Sequence, residues 1–388
     1  MKLIHTADIR LDRSYADQGL PPRAGRANRA HLRTRLQAIL DRAIAWPADA
    51  VLITGNLLDL EQIDRDTVAF LREAFAHLAP IPVLISPGPR DPYAPTSPYA
   101  TELWPENVRI FTGPVWDLVN LGDFTLYGFG HDAPEISANP FDAFTTSEDR
   151  PCIIMGPGFS KNLATGDSNE SAIVNLENLA HPNLAYVALG HATQSTALGA
   201  ANSAVAWCAA APEGGGFSET GPHHYLEITI APGFPESDGV VPAVQVNQVP
   251  ISGGRFYAMN LDCTDLASGQ ALIDAIRPHL VSEPDRQCVR IVLEGALLPE
   301  IYDELTSIRD ALSEGLVYLD LVDCCFVAEN YAALAEQKTS LGAFIARINQ
   351  EIEDAPDELR RAALCRSRDL ALCAYRGQHL PIRAARGD

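Results

Sequence analysis

The sequence predicts an α/β protein. Its first part is a layered domain, its second a smaller α+β module, and its last a helical segment. Three observations carry this expectation. Short apolar runs that end in Gly or a Gly/Pro turn alternate with amphipathic helical patterns over the first two-thirds of the chain. A second, shorter β-α-β-α-β alternation follows a Gly/Pro-rich tract. The final stretch shows apolar residues at helical spacing only. The boundaries drawn from these changes are 1–250, 251–330 and 331–388.

Each element has its own signal. Lys2–Thr6 reads as a strand, and residues 28–45 as a helix with Leu32, Leu36, Ile39, Leu40 and Ala43 on one face. Ala50–Thr54 is apolar up to its last residue, as a strand buried on both faces is. A helix over Val68–His77 follows. Pro82–Ile85, Val108–Phe111, Phe124–Phe129, Cys152–Met155 and Tyr186–Leu189 are further short apolar runs. His224–Ile230 alternates and reads as a strand. Beyond Ile251, strands are predicted at Phe256–Leu261, Cys288–Leu293 and Leu316–Leu321, with helices at Ala271–Leu280 and Glu300–Ser313 between them. Leu341, Phe344, Ile345, Ile348 and Ile352 mark one C-terminal helix, and another runs from Pro356 to about Tyr375.

Composition narrows the class. The 388 residues are 47% hydrophobic and 20% charged, which excludes a disordered tail. No stretch approaches the ~20 apolar residues of a membrane span, so no membrane partner is expected. The N-terminus turns polar within a few positions, unlike a secretory signal. The eight cysteines form no C-x-x-C pair, which predicts a reduced, cytoplasmic protein. The net charge of −21 argues against a surface that coats nucleic acid generally. Positive charge is nevertheless concentrated: eight arginines face three acids between Arg10 and Arg42, and seven face two between Arg360 and Asp388. These segments are either solvated helix faces or contacts for phosphate or an acidic partner.

In open α/β sheets ligands bind beyond the carboxyl ends of the strands. Five strand ends read in order His5-Thr-Ala-Asp8-Ile-Arg10, Gly55-Asn56-Leu-Leu-Asp59, Gly88-Pro89-Arg90-Asp91, Gly156-Pro157-Gly158 and Gly190-His191-Ala-Thr193. This series resembles the calcineurin-like metallophosphoesterase superfamily, whose motifs run D-x-H, G-D-x-x-D, G-N-H-D, a lone His and G-H-x-H. The opening His-Thr-Ala-Asp, the Ile-Pro-Val-Leu run at 81–84, Tyr186–His191 and the tract Pro212–Gly221 are similar to the SbcD-type branch, the nuclease subunit of double-strand-break repair. The resemblance implies a metallophosphoesterase β-sandwich flanked by helices, a capping domain and C-terminal helices.

It also implies a site that holds two divalent ions, usually manganese, which activate water and stabilise displacement at phosphorus. Position by position, Asp8 keeps the first carboxylate, but its partner imidazole is Arg10. The bridging carboxylate is Asn56. The amide ligand is Pro89, and the family's catalytic histidine is Arg90. The lone His is Gly156. In the last motif His191 remains while its partner is Thr193. A neutral Asn56 offsets two dications poorly, and Arg10 and Arg90 add fixed positive charge. The expectation is therefore a degenerate metal site, with manganese the ion if any is kept. Arg10, Arg90 and Thr193 become candidates for holding phosphate instead.

Other residues carry weaker readings. Asp59 and Asp91 fit loop-holding or N-cap roles, and His131 is a candidate substitute ligand. His223-His224 opens a strand. Gly214–Gly216 lacks the Lys-Ser/Thr of a phosphate loop and reads as a turn. The leading functional expectation is an SbcD-like pseudonuclease that binds DNA ends or, through its C-terminal helices, an SMC-like coiled-coil ATPase. A homodimer is a further arrangement left open. The alternative is an active metal-dependent phosphodiesterase or exonuclease with a rearranged, single-metal site built from Asp8, Asn56, His191 and His131.

Overall fold

The structure, a computed structural model, describes residues 1–135, 138–146, 150–160, 173–174, 179, 183–192, 194–201, 204–231, 243–252, 254–281 and 287–377. The chain divides into two compact units, Met1–Arg255 and Phe256–Asp388. No described helix is long and apolar enough to cross a membrane.

The first unit contains, in chain order, β1 (Lys2–Thr6), α1 (Pro22–Ala45), β2 (Ala50–Thr54), α2 (Arg65–His77), β3 (Val83–Ser86), α3 (Pro98–Thr101), β4 (Val108–Ile110), β5 (Asp117–Leu121), β6 (Phe124–Gly128), β7 (Cys152–Gly156), β8 (Phe159–Ser160), β9 (Ile173–Val174), β10 (Leu184–Ala192), β11 (Thr196–Ala201), β12 (Ala204–Ala210), β13 (His223–Ile230) and β14 (Val244–Ser252). They build two six-stranded sheets, in the orders β14-β13-β1-β2-β3-β4 and β11-β12-β10-β7-β6-β5. In the first, β1 to β4 are parallel neighbours, and β13 and β14 add antiparallel at one edge. In the second, β12, β10, β7 and β6 are parallel, with β11 and β5 antiparallel at the edges. The α/β class expected from the sequence is the class observed.

The strand pattern explains the layering. Strand β2 is buried at every position, as its unbroken apolar run predicts. Its Ala50 and Leu52 point with Leu3, Leu84, Leu226 and Ile228 against Leu126, Ile153, Met155, Tyr186 and Ala188 of the second sheet. Burial of each large side chain contributes ~1.5–3 kcal/mol, so this interlayer core fixes how the two sheets face each other. Helix α1 buries Leu32, Leu36, Ile39, Leu40 and Ala43, the face read from the sequence. It begins six residues earlier than that periodicity does, because Pro22 occupies its first turn, where a missing N–H is tolerated. Helix α2 is capped by Asp64, whose carboxylate accepts from Asp66 N. On the outer side of the second sheet, Trp116 meets Phe129, Phe141 and Phe144 edge-on.

Four strands of the two large sheets escape the sequence reading: β5, β11, β12 and β14. Strand β12 is largely alanine and lacks the β-branched signature. Strand β14 carries Gln245, Asn247 and Gln248 at an exposed sheet edge, and it continues the first sheet to Ser252.

The second unit begins with β15 (Phe256–Asp262), then α4 (Gly269–Val281), β16 (Cys288–Glu294), β17 (Ala296–Leu297), α5 (Pro299–Leu312), β18 (Tyr318–Asp323) and β19 (Phe326–Val327). Strands β15, β16 and β18 form a parallel three-stranded sheet, which needs crossover connections; α4 and α5 supply them. Leu272, Ile276, Ile301, Ile308 and Leu312 of the helices close over Val289, Ile291, Leu293, Leu319 and Leu321. Helices α6 (Tyr331–Ala335), α7 (Ser340–Glu353) and α8 (Glu358–Tyr375) follow. In α7, Ile345 packs with Leu334 and Leu372 of its neighbours, so much of its apolar stripe is spent within the unit. Phe344 stays 38% exposed.

Candidate functional site

The site candidates lie on the loops that leave β1, β2 and β3. These loops prolong the parallel pairing past the strand ends. Asp8 N donates to Gly55 O at 3.0 Å, Arg10 N to Asn56 O at 2.8 Å, and Leu11 N to Leu57 O at 2.9 Å. The turns that make this possible are tight. Asp8, Arg10, Asp12 and Asn56 all have left-handed backbones, with φ of 51°, 49°, 64° and 50°. Asp and Asn enter this region comparatively readily, whereas an arginine there stores ~1–2 kcal/mol of strain. Non-glycine residues held this way cluster at functional sites.

Asn56 is the centre of the arrangement. It is 3% exposed, and its Nδ2 donates to Asp8 Oδ1 at 2.6 Å. Its Oδ1 accepts the backbone N–H of Arg90 at 3.0 Å. One carboxamide therefore ties the three loops together, using a donor toward a carboxylate and an acceptor toward an amide. A carboxylate at 56 has no proton to give Asp8 in its ionised form. Gly88 is the residue that lets the third loop close on Asn56: a Cβ there would sit 2.5 Å from Asn56 Oδ1.

Asp91 holds the loops from beneath. It is fully buried, and Oδ1 accepts from Gly88 N at 2.6 Å and Asn56 N at 3.1 Å. Its Oδ2 accepts from Leu58 N at 3.0 Å and from the Tyr99 hydroxyl at 2.6 Å. Burial pushes this carboxyl up to about 7, against the downward pull of those four hydrogen bonds. The loop-holding role read for Asp91 is the one its geometry serves.

The two arginines part company. Arg10 reaches Asp59 Oδ2 through Nη2 at 3.0 Å, an arginine–aspartate pair within the motifs. Arg90 is exposed, and the contribution it makes to this cluster is its backbone N–H. At the lone-histidine position no side chain fits. A Cβ on Gly156 would lie 2.2 Å from the Phe129 ring, which fills that space. His131 is buried; Nδ1 lies 3.2 Å from Ala133 O, and its main chain joins Pro87 and Tyr93. His191 falls in β10, but its side chain and all of Thr193 lie outside the described residues.

The described side chains at these loop ends are engaged with one another. Asn56 spends its amide on Asp8 and Arg90, and Asp91 spends both oxygens on the loops. Arg10 brings fixed charge beside Asp59. Among the described residues no group of three or more His, Cys, Asp or Glu side chains is placed to hold a metal.

Behind the loops lie buried groups that the motifs do not announce. His5 bridges the two sheets, with Nδ1 2.9 Å from the Tyr186 hydroxyl and Nε2 2.9 Å from Thr54 Oγ1. Burial lowers its pKa to about 3, despite a backbone hydrogen bond at Leu189, so it is neutral at pH 7. Cys208 donates to Gly190 O at 3.0 Å, and burial together with the nearby Asp8 charge keeps it a thiol. Glu213, in the Gly-rich turn, accepts from Ser252 Oγ at 2.7 Å and Arg255 N at 3.1 Å, and lies 3.0 Å from His31 Nε2.

The basic segment is also accounted for in part. Arg10 pairs with Asp59, Arg33 with Asp12, Arg35 with Glu213 and Arg42 with Glu227, so half of its eight arginines serve internal ion pairs.

No protein-family model matches the sequence, and no curated protein matches it. Similarity is found among solved structures. TT1561 of Thermus thermophilus is 17% identical, over 58% of this chain and 93% of that one, with a TM-score of 0.35. A dimetal phosphatase from Danio rerio is 10% identical, over 63% of this chain and 98% of that one, with a TM-score of 0.37. The donor set around Asn56 has to be judged on its own geometry.

Proposed function

We propose that this chain is a metallophosphoesterase-type protein of the SbcD-like kind that has exchanged its metal pair for a hydrogen-bonded loop network. In this reading it works as a scaffold for DNA ends rather than as a hydrolase. The observation that carries it is the Asn56 carboxamide, which spans Asp8 and the Arg90 backbone where the family's motif has a bridging carboxylate. The order of the motifs, each beyond a strand of a two-sheet sandwich, supports the superfamily assignment. The exposed Arg90 and the neighbouring Arg10 supply phosphate-binding charge, and Thr193 is the third candidate on sequence grounds. Guanidinium groups fork onto phosphate but cannot ionise water as a Lewis acid does. Partner docking is assigned to the C-terminal helices, where Phe344, Leu359 and Tyr375 are exposed; an SMC-like ATPase is the class proposed.

The test is fluorescence anisotropy and cleavage of a labelled duplex with manganese present, for the wild type and the Arg10→Ala, Arg90→Ala double variant. Binding without cleavage, weakened about tenfold in the variant at low salt, is expected. Robust wild-type cleavage overturns the reading in favour of a rearranged-site phosphodiesterase.

A further inference from the structure

Of the arginines in the basic segment that the ion pairs above do not absorb, Arg13 is the buried one. It is only 7% exposed, yet its side chain makes no hydrogen bond to a described residue, and its buried Nε has no partner. Arg10 Nε is likewise buried without a partner, although Nη2 of the same side chain holds Asp59. The two arginines share one turn, in which Arg13 N donates to Arg10 O at 3.1 Å. Burying a guanidinium without partners is costly, and placing a second one beside it adds repulsion.

The surroundings of Arg13 are built for a flat guanidinium. One side faces the Tyr15 ring, with Cζ 5.3 Å from the ring centroid. The other is pressed onto Gly215, where a Cβ would fall 1.6 Å from Nη1 and 2.8 Å from Nη2. No residue but glycine leaves Arg13 in place. The acids nearby, Glu219 and Asp17, attract Arg13 through their charge but neither hydrogen-bonds it: Glu219 Oε2 accepts Gly215 N at 2.7 Å, and the exposed Asp17 accepts Gln18 Nε2 at 3.2 Å. Burial first, and the Arg10 charge second, lower the proton affinity of Arg13, against a partial upward pull from Tyr15, Glu219 and Asp17.

We propose that Arg13 and Arg10, backed by the Gly214–Gly216 turn, form an oxyanion site whose ligand is a phosphate group, free or at the end of a nucleic-acid strand. A phosphate accepts several hydrogen bonds, balances the Arg13 charge and gives the buried Arg10 Nε an acceptor while Nη2 keeps Asp59. This gives the Gly-rich turn a purpose that its sequence alone does not disclose. The proposal deepens the phosphate-binding part of the scaffold reading and rests on that part.

The experiment is isothermal titration of the full chain with inorganic phosphate. Parallel arms use one oligonucleotide carrying a 5′-phosphate and the same oligonucleotide carrying a 5′-hydroxyl. Arg13→Ala, Arg13→Lys and Gly215→Ala are compared with the wild type, and thermal unfolding confirms that each variant is folded. Wild-type binding of phosphate is expected, weakened at least tenfold in Arg13→Ala and in Gly215→Ala, with Arg13→Lys between. Gly215→Ala keeps every arginine and displaces only the guanidinium, so it separates position from charge. Phosphate binding with no preference for the 5′-phosphate identifies a free phosphate as the ligand; the site stands and the DNA-end scaffold falls. Oligonucleotide binding that ignores both the 5′-phosphate and Arg13 overturns the site and leaves the scaffold standing. Absence of binding in every arm overturns both.

Discussion

Asn56 Nδ2 lies 2.6 Å from Asp8 Oδ1, so the first and second strand-end loops are joined by an amide–carboxylate hydrogen bond. Because the same side chain accepts the Arg90 N–H through Oδ1, its donor and acceptor ends are both fixed. The contact belongs to the ground state of the fold, and its removal is measurable without a ligand.

Asn56→Asp replaces that donor with a second carboxylate facing Asp8. The variant loses a charge-assisted hydrogen bond and gains repulsion, which together cost about 1–3 kcal/mol at pH 7. Urea denaturation checks this through the midpoint. An unchanged midpoint at pH 7 would show that the amide bridges nothing of consequence.

Asp91→Asn preserves shape but turns one acceptor into a donor. Both Asp91 oxygens receive N–H or O–H groups, so an NH₂ must oppose at least one of them. The expected loss is about 1–3 kcal/mol. Tyr99→Phe, which removes one of the four donors and adds no clash, should cost less. If the two variants proved equal, the backbone donors would be contributing little.

The fold and the site were legible to different depths. Strands β1 and β2 could be bounded to the residue because their apolar runs stop at polar loops, while alanine-rich β12 and the polar edge strand β14 carry no such contrast. The positions of Asp8, Asn56, Asp91 and Arg90 follow from asking what stands beyond each strand. Their bonding does not. The sequence offers the Arg90 guanidinium as a candidate for phosphate but gives no sign that its backbone N–H meets Asn56. Glu213 reads as part of a turn, and its partners His31, Ser252 and Arg255 meet it only through tertiary folding. Side-chain pairing at such separations has no local pattern to betray it.

Acid should weaken the protein in a defined window. Burial would raise the Glu213 carboxyl, but hydrogen bonds from His31, Ser252 and the Arg255 N–H outweigh it and hold it at about 2, below its ordinary 4.5. A depressed carboxylate contributes stability above its unfolded value and loses it as pH falls from 4.5 toward 2, a loss of about 3 kcal/mol. His5, lowered to about 3, adds a loss that begins as pH falls through 6.5. Asp91, raised to about 7, works the other way, favouring the fold as pH drops from 7 toward 3.8. Comparing wild type with Glu213→Gln cancels the last two. Their stability difference should narrow as pH falls from 5 to 3; a constant difference would contradict the assignment.

Gly190→Ala tests how closely the sheets approach beside the site. A Cβ at this position in β10 would lie 1.7 Å from Thr54 O in β2. Backbone cannot yield as a flexible side-chain tip does, so a loss of about 3 kcal/mol is expected. An unchanged thermal midpoint would mean that the sheets separate freely there.

On the proposed reading, hydrogen bonds close the loops beyond β1, β2 and β3 in place of a metal pair. Manganese stoichiometry measures this most directly, by equilibrium dialysis of the wild type at about neutral pH followed by elemental analysis. Fewer than one equivalent should be retained, unchanged in Asp8→Ala. Two equivalents, both lost in Asp8→Ala, would contradict it.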